Sequence, residues 1–203
     1  MCNLYRLRAE TILKLYGKNL SEVLGNAPRP EVYPGGQGIV QTPSGELRTM
    51  AWGFPLKQFS KRTGEPIKPK AVNNARTDKL LTTFWKSAFV RPEQRCLIPL
   101  SAFAEAVGER GSMTRAWLSV AGEEGFCCAG IWRDSIEWGP VYSMVMTGAR
   151  DDLLDIHDRM PVILKSEHYD RWINAPVEEA LELCVPWPET LDVERTDEPW
   201  VRR

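Results

Sequence analysis

Hydrophobic and polar positions alternate along much of this chain, and turn residues interrupt the alternation at short intervals. Residues 38–42 (Gly-Ile-Val-Gln-Thr) and 47–52 (Leu-Arg-Thr-Met-Ala-Trp) read as two strands. Pro43-Ser-Gly-Glu46 between them is a turn signal, so a hairpin is predicted. Short strands are predicted again at residues 96–99, 101–106, 116–120, 126–132, 142–146 and 161–164. Helical spacing is confined to brief stretches. Ile12, Leu15 and Tyr16 share one face of a helix at residues 11–18, with Gly17 near its end. Residues 77–90 contain a second helix. Asp151 and Asp152 open one or two turns at 151–157, since acids suit a helix N-terminus. Ser166 is the expected N-cap of a helix at 166–174, and 177–183 is the last. Residues 27–38 and 54–70 read as loops, the second basic and broken by Pro55, Gly64, Pro66 and Pro69. Strands follow one another without long helices between them. The fold class is therefore α+β with mostly antiparallel pairing. One domain is expected over residues 1–185, followed by a polar C-terminal tail over 186–203.

Composition narrows the classes. The 203 residues are 43% hydrophobic and 26% charged, which excludes disordered, collagenous and coiled-coil chains. No apolar run approaches the ~20 residues of a membrane span, and the start has no apolar signal-peptide core. A cytoplasmic protein with no membrane partner is expected. The net charge of −1 hides an asymmetry. Residues 1–80 carry 13 Lys and Arg against 6 Asp and Glu, and residues 81–203 carry 13 against 21. A basic face offset by an acidic remainder keeps nucleic acid open as a partner. The 5 Cys show no Cys-x-x-Cys spacing and there are only 2 His, so no disulfide framework, metal site or cofactor is expected.

Several residues could carry chemistry. Removal of Met1 would leave Cys2 with a free α-amine and a thiol on adjacent carbons. The amine can condense with an aldehyde, and the thiol can then close a five-membered thiazolidine. Alternatively the amine can serve as base for the thiol, as in N-terminal-nucleophile hydrolases. Position alone is also compatible with an ordinary terminal Cys. His157 lies among acids in Asp155-Ile-His-Asp-Arg-Met-Pro161, where Pro161 forces the preceding residue to be extended. This describes either a functional corner or a solvated helix end. Asn73-Asn74-Ala75-Arg76 offers amides and a guanidinium for an anion, or plain turn chemistry. Glu105 interrupts an apolar strand, so it is either a pocket carboxyl with a raised pKa or an edge residue facing water. Arg48, Lys57 and further Lys and Arg interleave with Trp52, Phe54 and Phe59, the ingredients of single-strand binding or of a core Trp beside a solvated loop.

The order of these signals is more specific than any one of them. Met-Cys at the start, Trp-Gly-Phe at 52–54, Asn-Ala-Arg at 74–76, Glu105 in its apolar strand and His-Asp-Arg-Met-Pro at 157–161 form a set. In it the sequence resembles the SOS-response-associated peptidase (SRAP) family of abasic-site DNA–protein crosslinking proteins, from Cys2 to about Leu164. The resemblance implies one α+β domain with a curved, barrel-like sheet flanked by short helices. It implies a monomer that binds single-stranded DNA with abasic sites in the DNA damage response, in the cytoplasm and at the nucleoid during repair. It implies self-removal of Met1 and thiazolidine formation at Cys2. By the same match, Glu105 handles protons, His157 assists sugar ring opening and crosslink reversal, and Asn74 hydrogen-bonds the crosslink. Arg76 and Arg159 match backbone-contacting arginines, with Trp52, Phe54, Arg48 and Lys57 on the DNA side. Two other classes remain: an N-terminal-nucleophile cysteine hydrolase and a non-covalent single-strand-binding module. The chain departs from the family pattern at Asn3-Leu4, where Gly-Arg is usual, and at Ala106, where Trp is usual. The loop after Trp52-Gly-Phe also lacks a Trp pair, for which Phe59 or Leu56 could stand in.

Overall fold

The computed structural model describes residues 2–19 and 30–200. The elements in chain order are β1 (Leu4–Arg6), α1 (Ala9–Tyr16), β2 (Glu31–Val32), β3 (Gln37–Gln41), β4 (Leu47–Trp52), β5 (Phe54–Phe59), β6 (Pro66–Val72) and β7 (Asn74–Arg76). Then come α2 (Thr83–Phe89), β8 (Arg95–Leu100), β9 (Ala102–Val107), β10 (Thr114–Val120), β11 (Phe126–Ser135) and β12 (Gly139–Gly148). The chain finishes with β13 (Arg159–Pro161), β14 (Ile163–Leu164), α3 (Tyr169–Asn174), α4 (Val177–Glu182) and β15 (Leu191–Pro199).

Five strands close on themselves in the order β12-β4-β3-β8-β11, with β11 pairing β12 to complete the ring. Only the β12–β4 seam of that ring is parallel, with Tyr142 opposite Trp52. The side chains explain why a barrel forms here. Along β12, Tyr142, Met144 and Met146 point into one core, while Val141 and Val145 point into another. On β8, Cys96, Ile98 and Leu100 share the first core and Leu97 the second. Successive side chains leave a strand on opposite faces. Both faces of these strands are therefore buried, one in the barrel and one against Phe89, Trp172, Ile173 and Ala180 of α2, α3 and α4. Arg95, fully buried, ties this helical layer to β8: it donates to the carbonyls of Phe89 (3.0 Å), Trp172 (3.2 Å) and Ala175 (2.6 Å).

A second sheet, β15-β10-β9-β1-β2, packs beside the barrel and carries Glu105 on β9. β1 pairs with β9, Leu4 opposite Ala104, which brings the start of the chain alongside the Glu105 strand. The centre of the barrel is polar in one place. The hydroxyls of Tyr5 and Tyr142, both buried, hydrogen-bond each other. Gly38 lies against this pair: a Cβ there would come within 2.0 Å of the Tyr142 hydroxyl and 2.1 Å of that of Tyr5. Overpacking at this depth costs about 3 kcal/mol. Gly38→Ala is therefore expected to lower the melting temperature by roughly 5–10 °C, read by circular dichroism.

Four readings of the sequence change. Residues 54–70 are mostly the hairpin β5–β6, Phe54 opposite Val72 and Phe59 opposite Pro66. Among the described residues β6 pairs only with β5, so its prolines cost no ladder bond on the free side. The polar segment read as a tail contains a nine-residue strand, β15, running beside β10 from Leu191 opposite Val120 to Pro199 opposite Thr114. One of its acids is engaged: Glu198 meets the buried Arg115 at 3.0 Å. Ser166 does not cap a helix through its side chain; residues 166–168 form a single 3-10 turn before α3. The loop expected at 27–38 holds the short strand β2, its first three residues lying outside the described part. The helix expected at 11–18 forms two residues earlier, over Ala9–Tyr16, and is closed by Gly17 with a left-handed φ of 63° and an N–H bonded to the Leu13 carbonyl at 2.9 Å.

Candidate functional site

Trp52 ends β4 and Asn73 follows β6, so the two stems of the β5–β6 hairpin flank one point. Gly53 makes the turn there with a φ of 127° and donates its N–H to the Tyr142 carbonyl at 2.7 Å. The Asn73 carbonyl accepts from the Trp52 Nε1 at 3.1 Å and from the Met144 N–H at 2.9 Å. The Asn73-Asn74 doublet is thereby fixed to the barrel, with both side chains buried.

These amides hold the start of the chain. Asn74 Nδ2 donates to the Cys2 carbonyl at 2.7 Å, and Asn73 Nδ2 to the same oxygen at 2.9 Å. Asn73 Nδ2 also reaches Asn3 Oδ1 at 3.2 Å. The Cys2 side chain is wholly buried, its Sγ donating to the Leu4 carbonyl at 3.4 Å. Burial pushes the Cys2 thiol far above its ordinary range, and the Glu105 carboxylate pushes it further. Asn74 Oδ1 is buried and has no partner among the described residues. An uncompensated buried acceptor is costly, so it is an open hydrogen-bonding position beside Cys2.

Glu105 and His157 line one small cleft with Phe103, Leu118, Arg159 and Met160. Glu105 is 3% exposed, and burial raises its pKa to about 7. A carboxyl at that value exchanges a proton easily at neutral pH. His157 is held where the 3-10 turn at 151–153 gives way to β13, its N–H bonded to the Leu153 carbonyl at 2.9 Å. Burial lowers its pKa, Arg159 adding to the effect and Asp158 opposing it. Two groups approach Nδ1: the Arg159 N–H at 3.0 Å and the Asp158 carboxylate at 2.9 Å. The lowered pKa favours the neutral ring, in which Nδ1 accepts from Arg159 and Nε2 carries the hydrogen.

Arg76 and Arg159 come together across β12, Arg76 opposite Met146 and Arg159 opposite Gly148. Both meet Asp78, at 2.7 Å and 3.6 Å. The Arg76 guanidinium holds the Asp78 carboxyl below its ordinary range. The two guanidiniums beside the Glu105–His157 cleft share Asp78, and Asp158 lies against His157, so the cations there are matched by carboxylates.

Residues 1–198 of the 203 match the SOS response associated peptidase (SRAP) family. The chain belongs to the SRAP family. Among curated relatives it is 34% identical over 136 residues to the abasic site processing protein YoaM of Bacillus subtilis, covering 63% of this chain and 56% of that protein. It is 31% identical over 135 residues to YoqW of the same organism, covering 63% of this chain and 57% of the relative. The chain thus matches little more than half the length of these relatives. A crystal structure of a Bordetella bronchiseptica protein aligns with a TM-score of 0.77 at 22% identity, covering 96% of this chain and 99% of the other. One from Bacteroides thetaiotaomicron aligns at 0.74 and 21%, covering 96% and 91%. At such identities these two neighbours speak to fold, and they bear out the α+β, barrel-like architecture.

This SRAP fold brings Cys2, Asn74, Glu105 and His157 together, with Arg159 lining the same cleft and Arg76 joined to it through Asp78. Trp52 and Phe54 require correction. Both are wholly buried and offer no face to a base. Trp52 packs edge-on to Tyr5 (5.0 Å) and stacked on Tyr142 (6.5 Å), so it supports Asn73 from beneath. Phe54 is covered by Phe84, Trp85 and the guanidinium of Arg133 at 4.4 Å. Arg48 lies over the Trp132 ring at 5.3 Å, away from the Cys2 cluster in sequence and on the barrel strand β4. Lys57 is exposed on the β5–β6 hairpin with Lys61, Arg62, Lys68 and Lys70. The exposed apolar side chains there are Leu56, Phe59 and Ile67. Arg6 is stacked on Trp117 at 4.0 Å and paired with Glu31 at 3.5 Å. The sequence offered Asn73 only as part of the Asn73-Asn74-Ala75-Arg76 segment, with no role of its own, and did not single out Asp78. The Asn-Asn doublet and the Asp two residues past Arg76 were the available signals.

Proposed function

We propose that this protein processes abasic sites in single-stranded DNA by covalent capture through Cys2. The names of its curated relatives support the substrate, and the observation that carries the reading is the double anchoring of the Cys2 carbonyl by Asn73 and Asn74 beside Glu105. Hydrolysis of the Met1–Cys2 bond consumes one water and frees the Cys2 amine. The ring-opened sugar of an abasic site presents an aldehyde. The amine adds to it and one water leaves, giving an imine. The Cys2 sulfur then bonds to the imine carbon and its proton passes to the nitrogen, closing the thiazolidine. Glu105, half-protonated near pH 7, is suited to carry protons in both steps. His157 offers an Nε2–H to the sugar oxygen during ring opening. Asn74 Oδ1, buried and without a partner among the described residues, would accept from the Cys2 nitrogen.

Arg76 and Arg159 would bind phosphates by charge-assisted bonds, exchanging Asp78 for the strand. The exposed cations and apolar side chains of the β5–β6 hairpin would lie along it. We place the activity in the cytoplasm, as a monomer on DNA.

The test is denaturing electrophoresis with three single-stranded oligonucleotides: one with an abasic site, one with intact bases and one whose abasic sugar has been reduced to an alcohol. A heat-stable slow band with the first alone is expected. No band, or equal bands with all three, would overturn the reading. A second experiment addresses the hairpin. Replacing Lys57, Lys61 and Lys68 together by Ala is expected to flatten the slope of log affinity against log salt by about 2, since each phosphate contact on a single strand contributes about 0.7.

A further inference from the structure

We propose that Asn73 is a positioning residue for Cys2. With Asn3 it forms a clamp that fixes the first peptide plane of the processed chain, so that the Cys2 amine and thiol keep one orientation toward Glu105 and His157. This rests on the crosslinking reading above.

Once Met1 is gone, Cys2 has a covalent neighbour on one side only. A single hydrogen bond from Asn74 to its carbonyl would still allow the residue to rotate about that bond. The second donor removes the freedom. Asn73 Nδ2 occupies the other lone pair of the same oxygen at 2.9 Å and sends its remaining hydrogen to Asn3 Oδ1 at 3.2 Å. One amide nitrogen thus spans two consecutive residues with both of its hydrogens. The clamp is itself anchored: the Asn73 carbonyl is held by Trp52 and Met144, and the Val72 carbonyl by the Ser143 hydroxyl at 2.8 Å.

The two asparagines divide the work. Asn74 makes one bond through Nδ2 and keeps a buried Oδ1 without a partner among the described residues, an acceptor for the reacting nitrogen. Asn73 has committed its donor nitrogen to the N-terminal segment and has no hydrogen left for the reacting sugar. It acts through Cys2. The pairing also gives Asn3 a purpose, since a Gly at that position would have no side chain for Asn73 to grip.

The experiment measures the single-turnover crosslinking rate against the concentration of an abasic oligonucleotide for the wild type, Asn73→Ala, Asn3→Ala and the double variant. Melting temperatures are recorded in parallel. Loss of orientation at a reacting group costs up to about 100-fold, and a clamp backed by Asn74 should cost about 10-fold. Asn73→Ala is expected to lower the maximal rate by that factor while leaving the half-saturating DNA concentration within about twofold. Asn3→Ala should slow the reaction by about threefold, and the double variant should match Asn73→Ala, because Asn3 works only through Asn73. A maximal rate unchanged in Asn73→Ala, or a loss confined to DNA affinity, would overturn the clamp. If Asn73→Ala does not fold, Asn3→Ala decides, since Asn3 is exposed: a slower maximal rate supports the clamp and an unchanged one overturns it. A wild type that forms no band would overturn both this inference and the reading beneath it, whereas a crosslinking wild type matched by Asn73→Ala would overturn the clamp alone.

Discussion

Cys2→Ala is expected to abolish the heat-stable band completely while leaving non-covalent binding of single-stranded DNA intact. The other four cysteines cannot replace it. None of the four adjoins an α-amine, so none can close a thiazolidine ring. Ala keeps the amine once Met1 is removed, so an imine can still form, but it hydrolyses on heating because no sulfur closes the ring. Reduction with borohydride before denaturation should therefore recover a band from Cys2→Ala. That recovery separates the two steps: the amine makes the first bond and the thiol makes the product last. Fluorescence anisotropy with an intact strand checks that affinity is unchanged. A heat-stable band from Cys2→Ala without borohydride would show that another residue is the nucleophile.

Glu105→Gln is expected to have effects of opposite sign on activity and stability. Proton transfer by a positioned carboxyl is worth about 100-fold or more, so the crosslinking rate should fall by at least that factor. Stability should change the other way at alkaline pH. The folded protein raises the Glu105 pKa from 4.5 to about 7 by burial. The folded state then holds this proton more tightly than the unfolded chain does. The resulting stabilisation is whole below pH 4.5 and is lost as pH rises through about 7. Across that window the wild type should lose about 3 kcal/mol from this group, since each pH unit between the unfolded and folded pKa values is worth about 1.4 kcal/mol. Glu105→Gln lacks this dependence. It should melt at a higher temperature than the wild type at pH 8 and close to it at pH 5. Equal pH profiles would mean that Glu105 titrates in the folded protein as it does in water.

Much of this was legible in the residues, and the exceptions have physical causes. The barrel strands announced themselves because Val, Ile, Met and Cys fill both of their faces, and the β3–β4 hairpin because Pro43-Ser-Gly-Glu46 separates two clear alternations. The β5–β6 hairpin was hidden by Pro66 and Pro69, which forbid a central strand and are tolerated here only because β6 has one neighbour among the described residues. β15 was hidden by Asp192, Glu194, Asp197 and Glu198: a strand exposed along most of its length carries no apolar stripe. In the site, Cys2, Asn74, Glu105 and His157 were recoverable from their order along the chain. Their convergence was not, since it depends on β1 lying beside β9 and on β7 lying parallel to β12, pairings between distant segments. Trp52 illustrates the same limit. It lies in sequence between Arg48 and the basic segment that begins at Lys57, yet its neighbours in space are Tyr5, Tyr142 and the Asn73 carbonyl. Its contribution is to hold the asparagines in place.

The central claim is that a processed Cys2 joins covalently to the aldehyde of an abasic site. Intact-mass analysis of the purified crosslink, followed by peptide mapping, tests it most directly. The account predicts a mass equal to protein lacking Met1 plus the oligonucleotide less one water, with the added mass on the peptide that begins at Cys2. An adduct on any other residue, or a crosslinked protein that still carries Met1, would contradict it.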